Sequence, residues 1–246
     1  MKIIFVLPTY NEKKVIEQNT QKLLNYIKTN LGSYEWNILI ADNGSDDGTV
    51  DISKKLSSQI PEIKYFHIPE KGRGYALKKA WSEYEADIYF YMDCDLATDL
   101  AAIKLSIEAI VSEGFDMAIG SRHAPGARVR RSWLREIISR GLNVMTKTLL
   151  STKIVDMQCG FKAINKKIAI NVLPKINDNG WFFDTELIIL AEKSGYKIKE
   201  VPVEWSENRG LKRKSKVKLI STIADDLRRI WALKKRIKKI YDKKVG

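Results

Sequence analysis

Five short apolar runs, Lys2–Leu7, Trp36–Ala41, Ile63–His67, Asp87–Met92 and Phe115–Gly120, alternate with longer segments whose apolar residues recur at helical spacing. Each run is apolar enough to be buried on both faces, as the central strands of a parallel sheet are. The intervening segments Glu12–Asn30, Thr49–Ser58, Gly74–Glu85 and Asp99–Glu113 begin near polar or acidic residues, as helices do. This βαβαβ order predicts an α/β fold, a doubly wound and mainly parallel sheet with helices on both faces. A length of 246 residues suits one large domain, or one domain with an appendage.

Open α/β sheets bind ligands at the carboxyl ends of their strands. The unusual residues of this chain fall there. They are Pro8-Thr9-Tyr10-Asn11-Glu12 after the first run, Asp42-Asn43-Gly44-Ser45-Asp46-Asp47-Gly48 after the second, Lys71-Gly72-Arg73-Gly74 after the third and Asp93-Cys94-Asp95 after the fourth. Four polar loops on one sheet edge outline a single site.

Strand alternation puts Asp93 and Asp95 on one side and turns Cys94 away. Two neighbouring carboxylates repel unless a cation lies between them, and hard oxygen ligands suit Mg²⁺ or Mn²⁺ shared with a diphosphate. In the Asp42–Gly48 loop two readings stay open. Ser45 or Asp46 could cap the following helix, or Asp42 could accept a hydrogen bond from a nucleobase while the glycines let the backbone close on a nucleoside. Lys71-Gly72-Arg73-Gly74 lacks the third glycine of a dinucleotide fingerprint, which argues against nicotinamide.

Cations dominate the middle of the chain: Arg122, Arg128, Arg130, Arg131, Arg135, Arg140 and Lys147 are offset by Glu136 alone. On a helix predicted over Ser132–Leu150, Arg135 and Ser139 are four apart and share a face. Such arginines can grip a phosphate, although a solvated face is the commoner role of a charge run.

The net charge of +13 is concentrated at one end. From Asn208 to Gly246 there are 15 Lys+Arg and three Asp, leaving 28 and 27 for residues 1–207. A nucleic-acid enzyme would more often spread its basic face over the fold, and acids at the strand ends argue against nucleic-acid binding. Val217–Tyr241 reads as a basic amphipathic helix with an apolar stripe of Ile220, Ile223, Leu227, Ile230, Trp231, Ile237 and Ile240. That stripe could lie in an anionic membrane surface or pack on the body. The chain therefore divides into 1–216 and a C-terminal helix, 217–246. No run reaches the roughly 18–20 apolar residues of a membrane span, and two cysteines, Cys94 and Cys159, build no disulfide framework.

Taken in order, these loops resemble the inverting family 2 glycosyltransferases of the GT-A fold, and among them the polyprenyl-phosphate sugar synthases. The likeness also rests on Gly120-Ser121-Arg122, Arg135-Glu136-Ile137-Ile138-Ser139-Arg140-Gly141, Asp156-Met157-Gln158-Cys159-Gly160-Phe161-Lys162 and Glu200-Val201-Pro202-Val203. It implies a nucleotide-sugar donor, a dolichyl or polyprenyl phosphate acceptor, and Mg²⁺ or Mn²⁺ on Asp93 and Asp95. Pro8, Tyr10, Glu12, Asp42, Asn43, Lys71, Arg73, Asp93 and Cys94 would bind the donor. Arg122, Arg135, Ser139, Arg140 and Arg209 would hold the acceptor phosphate, with Asp93, Asp95, Arg122, Arg135 and Ser139 carrying catalysis. The Ala97-Thr98 pair resembles glucose-type enzymes, so a UDP-sugar is expected ahead of GDP-mannose or UDP-N-acetylglucosamine. Asn43 stands where the family usually has Asp, and Ser215-Lys216 is displaced from Arg209-Gly210. Asp184 and Glu186 fall where hydroxyl-directed relatives keep a base, and are read here as structural or as orienting the arginines. The implied location is the cytoplasmic face of a membrane, held peripherally.

Overall fold

The computed structural model describes residues 1–130, 133–207 and 219–241. Its elements are β1 (Lys2–Thr9), α1 (Ile16–Asn30), β2 (Glu35–Asn43), α2 (Thr49–Gln59), β3 (Ile63–Ile68), α3 (Arg73–Glu83), β4 (Ile88–Met92), α4 (Ala101–Val111), β5 (Met117–Ser121), β6 (Arg128–Arg130), α5 (Trp133–Leu150), β7 (Phe161–Asn165), α6 (Lys166–Asn171), α7 (Phe183–Lys193), β8 (Ile198–Pro202), β9 (Glu204–Ser206) and α8 (Leu219–Tyr241). Seven strands form one sheet in the order β3-β2-β1-β4-β7-β5-β8, and β6 pairs with β9 separately. Only β7 runs antiparallel to its neighbours in the large sheet.

Alternation along β1 divides the core. Ile4 and Val6 pack into one apolar layer with residues of α3, α7 and α8. Ile3, Phe5 and Leu7 pack into the other with residues of α1, α2 and α4. Both faces of the sheet are thus covered, which is why its strands are apolar throughout rather than alternating. This is the doubly wound, mainly parallel α/β sheet that the sequence leads one to expect.

The sequence reading missed β7. Its five residues follow Cys159-Gly160 closely and return the chain between β4 and β5, and so short a strand carries little periodic signal.

The described part of α8 lies on the body. Ile230 and Leu233 are buried in the layer that α5 and α7 share, and Ile237 packs beside them. Arg229 pairs with Asp178, and Arg236 with Glu186. Trp231 is exposed. The side chains of Ile220, Ile223 and Ile240 lie outside the described residues.

Candidate functional site

The loops after β1 and β2 are laced together. Asn11, held at φ 54°, donates its backbone N–H to Ser45 Oγ (2.9 Å) and its side-chain amide to Asp46 (2.8 Å). The Asp46 N–H returns a bond to Asn11 Oδ1 (2.9 Å), and the Glu12 N–H reaches Thr49 Oγ1 (2.9 Å). Ser45 and Asp46 are therefore spent between loops rather than capping α2. Gly48 holds that helix's N-cap in the left-handed region, at φ 95°.

This lacing holds the two loops together beyond the strand ends, where Pro8 lies beside Ala41 and Thr9 beside Asp42. Asp42 is fully buried. Its Oδ2 meets His67 Nδ1 at 2.8 Å and accepts from the Ser45 N–H at 3.3 Å. Its Oδ1 is buried with no partner. A buried acceptor left unpaired costs about 1–3 kcal/mol, so this atom suits an incoming N–H donor. Lys71 Nζ lies 4.9 Å from the centre of the Tyr10 ring at the same edge, and Asn43 is buried.

β4 ends at Met92, and the Leu96 N–H bonds to Asp93 O at 3.0 Å. Asp93 and Asp95 thus sit in a turn, and strand alternation does not set their directions. The Cys94 side chain is buried in the apolar layer beneath, and its carbonyl accepts from Asn19 Nδ2 at 2.9 Å. The Asp95 Oδ1 accepts from the Ala97 N–H at 3.2 Å.

Arg73 is buried, and its guanidinium bridges two acids. Its Nε and Nη2 donate to Asp93 Oδ1 at 3.2 and 2.9 Å, and its Nη1 to Asp184 Oδ2 at 2.5 Å. The other Asp184 oxygen takes the Tyr91 hydroxyl and the Lys162 ammonium, the latter at 3.1 Å. Burial alone would raise the Asp184 carboxyl, but Arg73 and Lys162 outweigh it and hold it below the usual range. Glu186 is equally committed, to the N–H groups of Asn177 (3.1 Å) and Asp178 (2.8 Å) and to Arg236.

Arg122 makes a second buried pair. Its Nε and Nη2 donate to the two Asp156 oxygens at 2.7 and 2.8 Å, and its backbone N–H donates at 2.9 Å. Burial would raise the Asp156 carboxyl, yet Arg122 drives it far down. Glu200 fixes this turn by accepting from the Val155 and Asp156 N–H groups, both at 3.1 Å. His123, next in the chain, reaches Glu136 of α5 at 3.6 Å. On α5, Ser139 Oγ is buried without a partner, whereas Arg140 pairs with Glu136 at 2.6 Å on the exposed side. The Arg135 side chain and all of Arg209 lie outside the described residues.

Among the described residues no three His, Cys, Asp or Glu converge as a metal cage. Asp93 and Asp95 are both part-exposed, and a pair of carboxylates suits a hard divalent cation that completes its shell with other oxygens rather than a closed structural site.

The profile described as Glycosyl transferase family 2 matches residues 4–173. The chain belongs to that family. It is 31% identical to Glycosyltransferase AglD of Haloferax volcanii over 232 residues, which are 94% of this chain and 37% of that one. It is 29% identical to the dolichyl-phosphate beta-glucosyltransferase of Saccharomyces cerevisiae, across 84% of this chain and 67% of that one. It is 32% identical to the dolichol-phosphate mannosyltransferase of Pyrococcus furiosus, across 96% and 64%. The chain spans between about a third and two thirds of the length of these relatives. Among solved structures, glucosyl-3-phosphoglycerate synthase from Mycobacterium tuberculosis with UDP shares the fold, at a TM-score of 0.70, 17% identity, and 95% and 80% coverage.

Sequence reasoning passed over several residues of this family 2 site. His67, Tyr91 and Lys162 come from β3, β4 and β7, and become neighbours of Asp42 and Asp184 only when those strands align. A lysine flanked by Phe161 and Ala163 in a buried strand was the available signal for Lys162.

Proposed function

We propose that the chain transfers a hexose from a nucleotide sugar to a dolichyl or polyprenyl phosphate, with metal assistance and inversion, giving a β-linked polyprenyl-phosphate sugar. A UDP-glucose-type donor is favoured over GDP-mannose. The observation that carries this reading is the saturation of Asp184 and Glu186, whose four oxygens are all taken by cations, a phenol or backbone N–H groups. A hydroxyl acceptor needs a base for its proton. A phosphate monoester, with a second pKa near 6, is already anionic near neutrality and needs only to be held.

In this reading Asp42 Oδ1 accepts from the nucleobase, with Pro8, Tyr10 and Glu12 lining the nucleoside cleft and Lys71 at its rim. Asp93 and Asp95 would hold Mg²⁺ or Mn²⁺, which when bound neutralises charge on the departing diphosphate. Arg73 fixes the pose of Asp93 from behind. The acceptor phosphate is held by Ser139 Oγ with Arg135, Arg122 and Arg209, on the face of the sugar opposite the leaving group. The Arg122 guanidinium is oriented for this by its bidentate grip on Asp156. The similarity to both glucosyl- and mannosyl-transferring relatives supports the acceptor class. Ala97-Thr98 supports the glucose type.

The test is transfer of labelled sugar from a panel of UDP- and GDP-sugars to a polyprenyl phosphate, with and without EDTA. UDP-glucose-dependent, EDTA-sensitive product is expected. Transfer only to soluble hydroxyl acceptors would overturn the reading.

A further inference from the structure

The glycines of Lys71-Gly72-Arg73-Gly74 meet the segment that leads into α7. A Cβ on Gly72 would lie 2.6 Å from the Asn179 carbonyl oxygen, and one on Gly74 would lie 2.6 Å from the Phe183 Cβ. Glycine is what lets the two backbones approach this closely. The Tyr75 N–H then reaches Asn179 O at 3.1 Å. Glu186 of α7 holds the Asn177 and Asp178 N–H groups, and Asp178 Oδ1 accepts from the Gly180 N–H at 2.7 Å. Phe182 and Phe183 are buried, so the segment is tied on both sides. Between these ties stands Trp181, 54% exposed. Its ring centre lies 5.1 Å from Arg73 Cζ, and Arg73 donates to Asp93 Oδ1 at 2.9 Å. One side chain therefore separates an exposed indole from the first carboxylate of the Asp93–Asp95 pair. A single exposed apolar residue means little by itself; one fixed beside the partner of a candidate metal ligand is placed to meet what a diphosphate carries.

We propose that Trp181 is a specificity-determining contact of the donor, the platform on which the transferred sugar stacks. This role rests on the nucleotide-sugar reading and deepens it. The Arg73 guanidinium covers one face of the indole and leaves the other for a ligand. A pyranose presents C–H bonds on its face and hydroxyls around its edge, so an aromatic ring can bury the face while polar groups read the edge. The nucleobase is a poorer occupant. Its candidate acceptor, Asp42, ends β2, and β1 lies between that strand and β4, which leads to Asp93. Stacking at Trp181 would restrain the anomeric carbon beside the diphosphate and so favour one approach of the acceptor.

Calorimetry of the full chain with Mn²⁺ tests this, using UDP against UDP-glucose and GDP against GDP-mannose. Trp181→Ala should weaken the nucleotide sugar that the parent binds by about five- to tenfold, and change the matching free diphosphate by less than about twofold. Trp181→Phe, which keeps an aromatic face, should recover most of the loss. In transfer assays with polyprenyl phosphate the alanine variant should raise the KM for the donor and leave that for the acceptor. Equal losses for the sugar and the free diphosphate overturn the proposal, because the indole would then only prop Arg73 and Asp93. Unchanged donor affinity beside a raised acceptor KM also overturns it and gives the indole to the lipid. A parent that binds neither nucleotide sugar overturns this role and the reading beneath it together. The expected binding differences beside a dead transfer assay would sink the proposed acceptor and leave the stacking platform standing.

Discussion

A methyl group on Gly160 would lie 2.0 Å from Asp93 Oδ2, so this position sets where the first carboxylate of the pair can stand. The Asp93 N–H also bonds to Gly160 O at 2.9 Å, which leaves the side chain rather than the backbone to yield. Gly160→Ala should therefore fold but push Asp93 off Arg73. Its Mn²⁺-dependent affinity for a nucleoside diphosphate, read by calorimetry, should fall at least about tenfold, with a melting temperature within a few degrees of the parent. Unchanged affinity would mean that Asp93 is not a ligand. The same residue scale explains why Asp42 stood out in the sequence while its use stayed open. A carboxylate after a strand is visible in the chain, but the orphaned Oδ1 exists only once His67 has taken Oδ2.

At the scale of elements, α8 carries the sharpest conflict. Asp226 is buried on it, with Gln158 Nε2 at 3.3 Å. Burial, against partial compensation by Arg229, pushes its carboxyl up to about 6. A carboxyl whose folded value exceeds its unfolded value of about 3.9 binds its proton more tightly when folded. Its contribution to stability therefore falls as pH rises from about 4 through about 6. Asp226→Asn should remove this slope and stabilise the protein at neutral pH, by up to about 2–3 kcal/mol, as denaturant melts at several pH values would show. A parent-like pH slope in that variant would mean that Asp226 does not carry it. The periodicity of Val217–Tyr241 announced a helix and its apolar stripe, but amphipathicity alone does not distinguish a lipid surface from a protein one. Packing of Ile230 and Leu233 shows that this part of the stripe lies on the body.

For the whole molecule, two buried ion pairs on different segments respond to acid alike. Asp184 and Asp156 are both held below the usual range, by Arg73 with Lys162 and by Arg122. Each contributes stability that is fully present above the unfolded value of about 3.9 and is lost as pH falls through the lower folded value. Stability from these groups should be flat above about pH 5 and drop steeply below about pH 4, measured by urea unfolding across that range. Arg122→Met should move this collapse upward, because it leaves Asp156 buried and unpaired at a cost of about 3–5 kcal/mol. A variant as acid-stable as the parent would show that Asp156 is hydrated rather than paired.

The local order of apolar runs and loops was enough to predict the sheet, the helices on its two faces and the edge where the polar loops gather, because strand burial and turn chemistry are encoded over a few neighbouring residues. Partnership was not encoded that way. Arg73 could face a diphosphate or an acid, Ser45 a helix end or Asn11, and Arg122 solvent or Asp156, and each choice depended on residues 34 to 111 positions away. Those distances along the chain close only when the strands align, β1 with β2 for Asn11 and Ser45, and the helices dock. Tertiary packing thus determined which charges are spent on one another and which are left for a ligand.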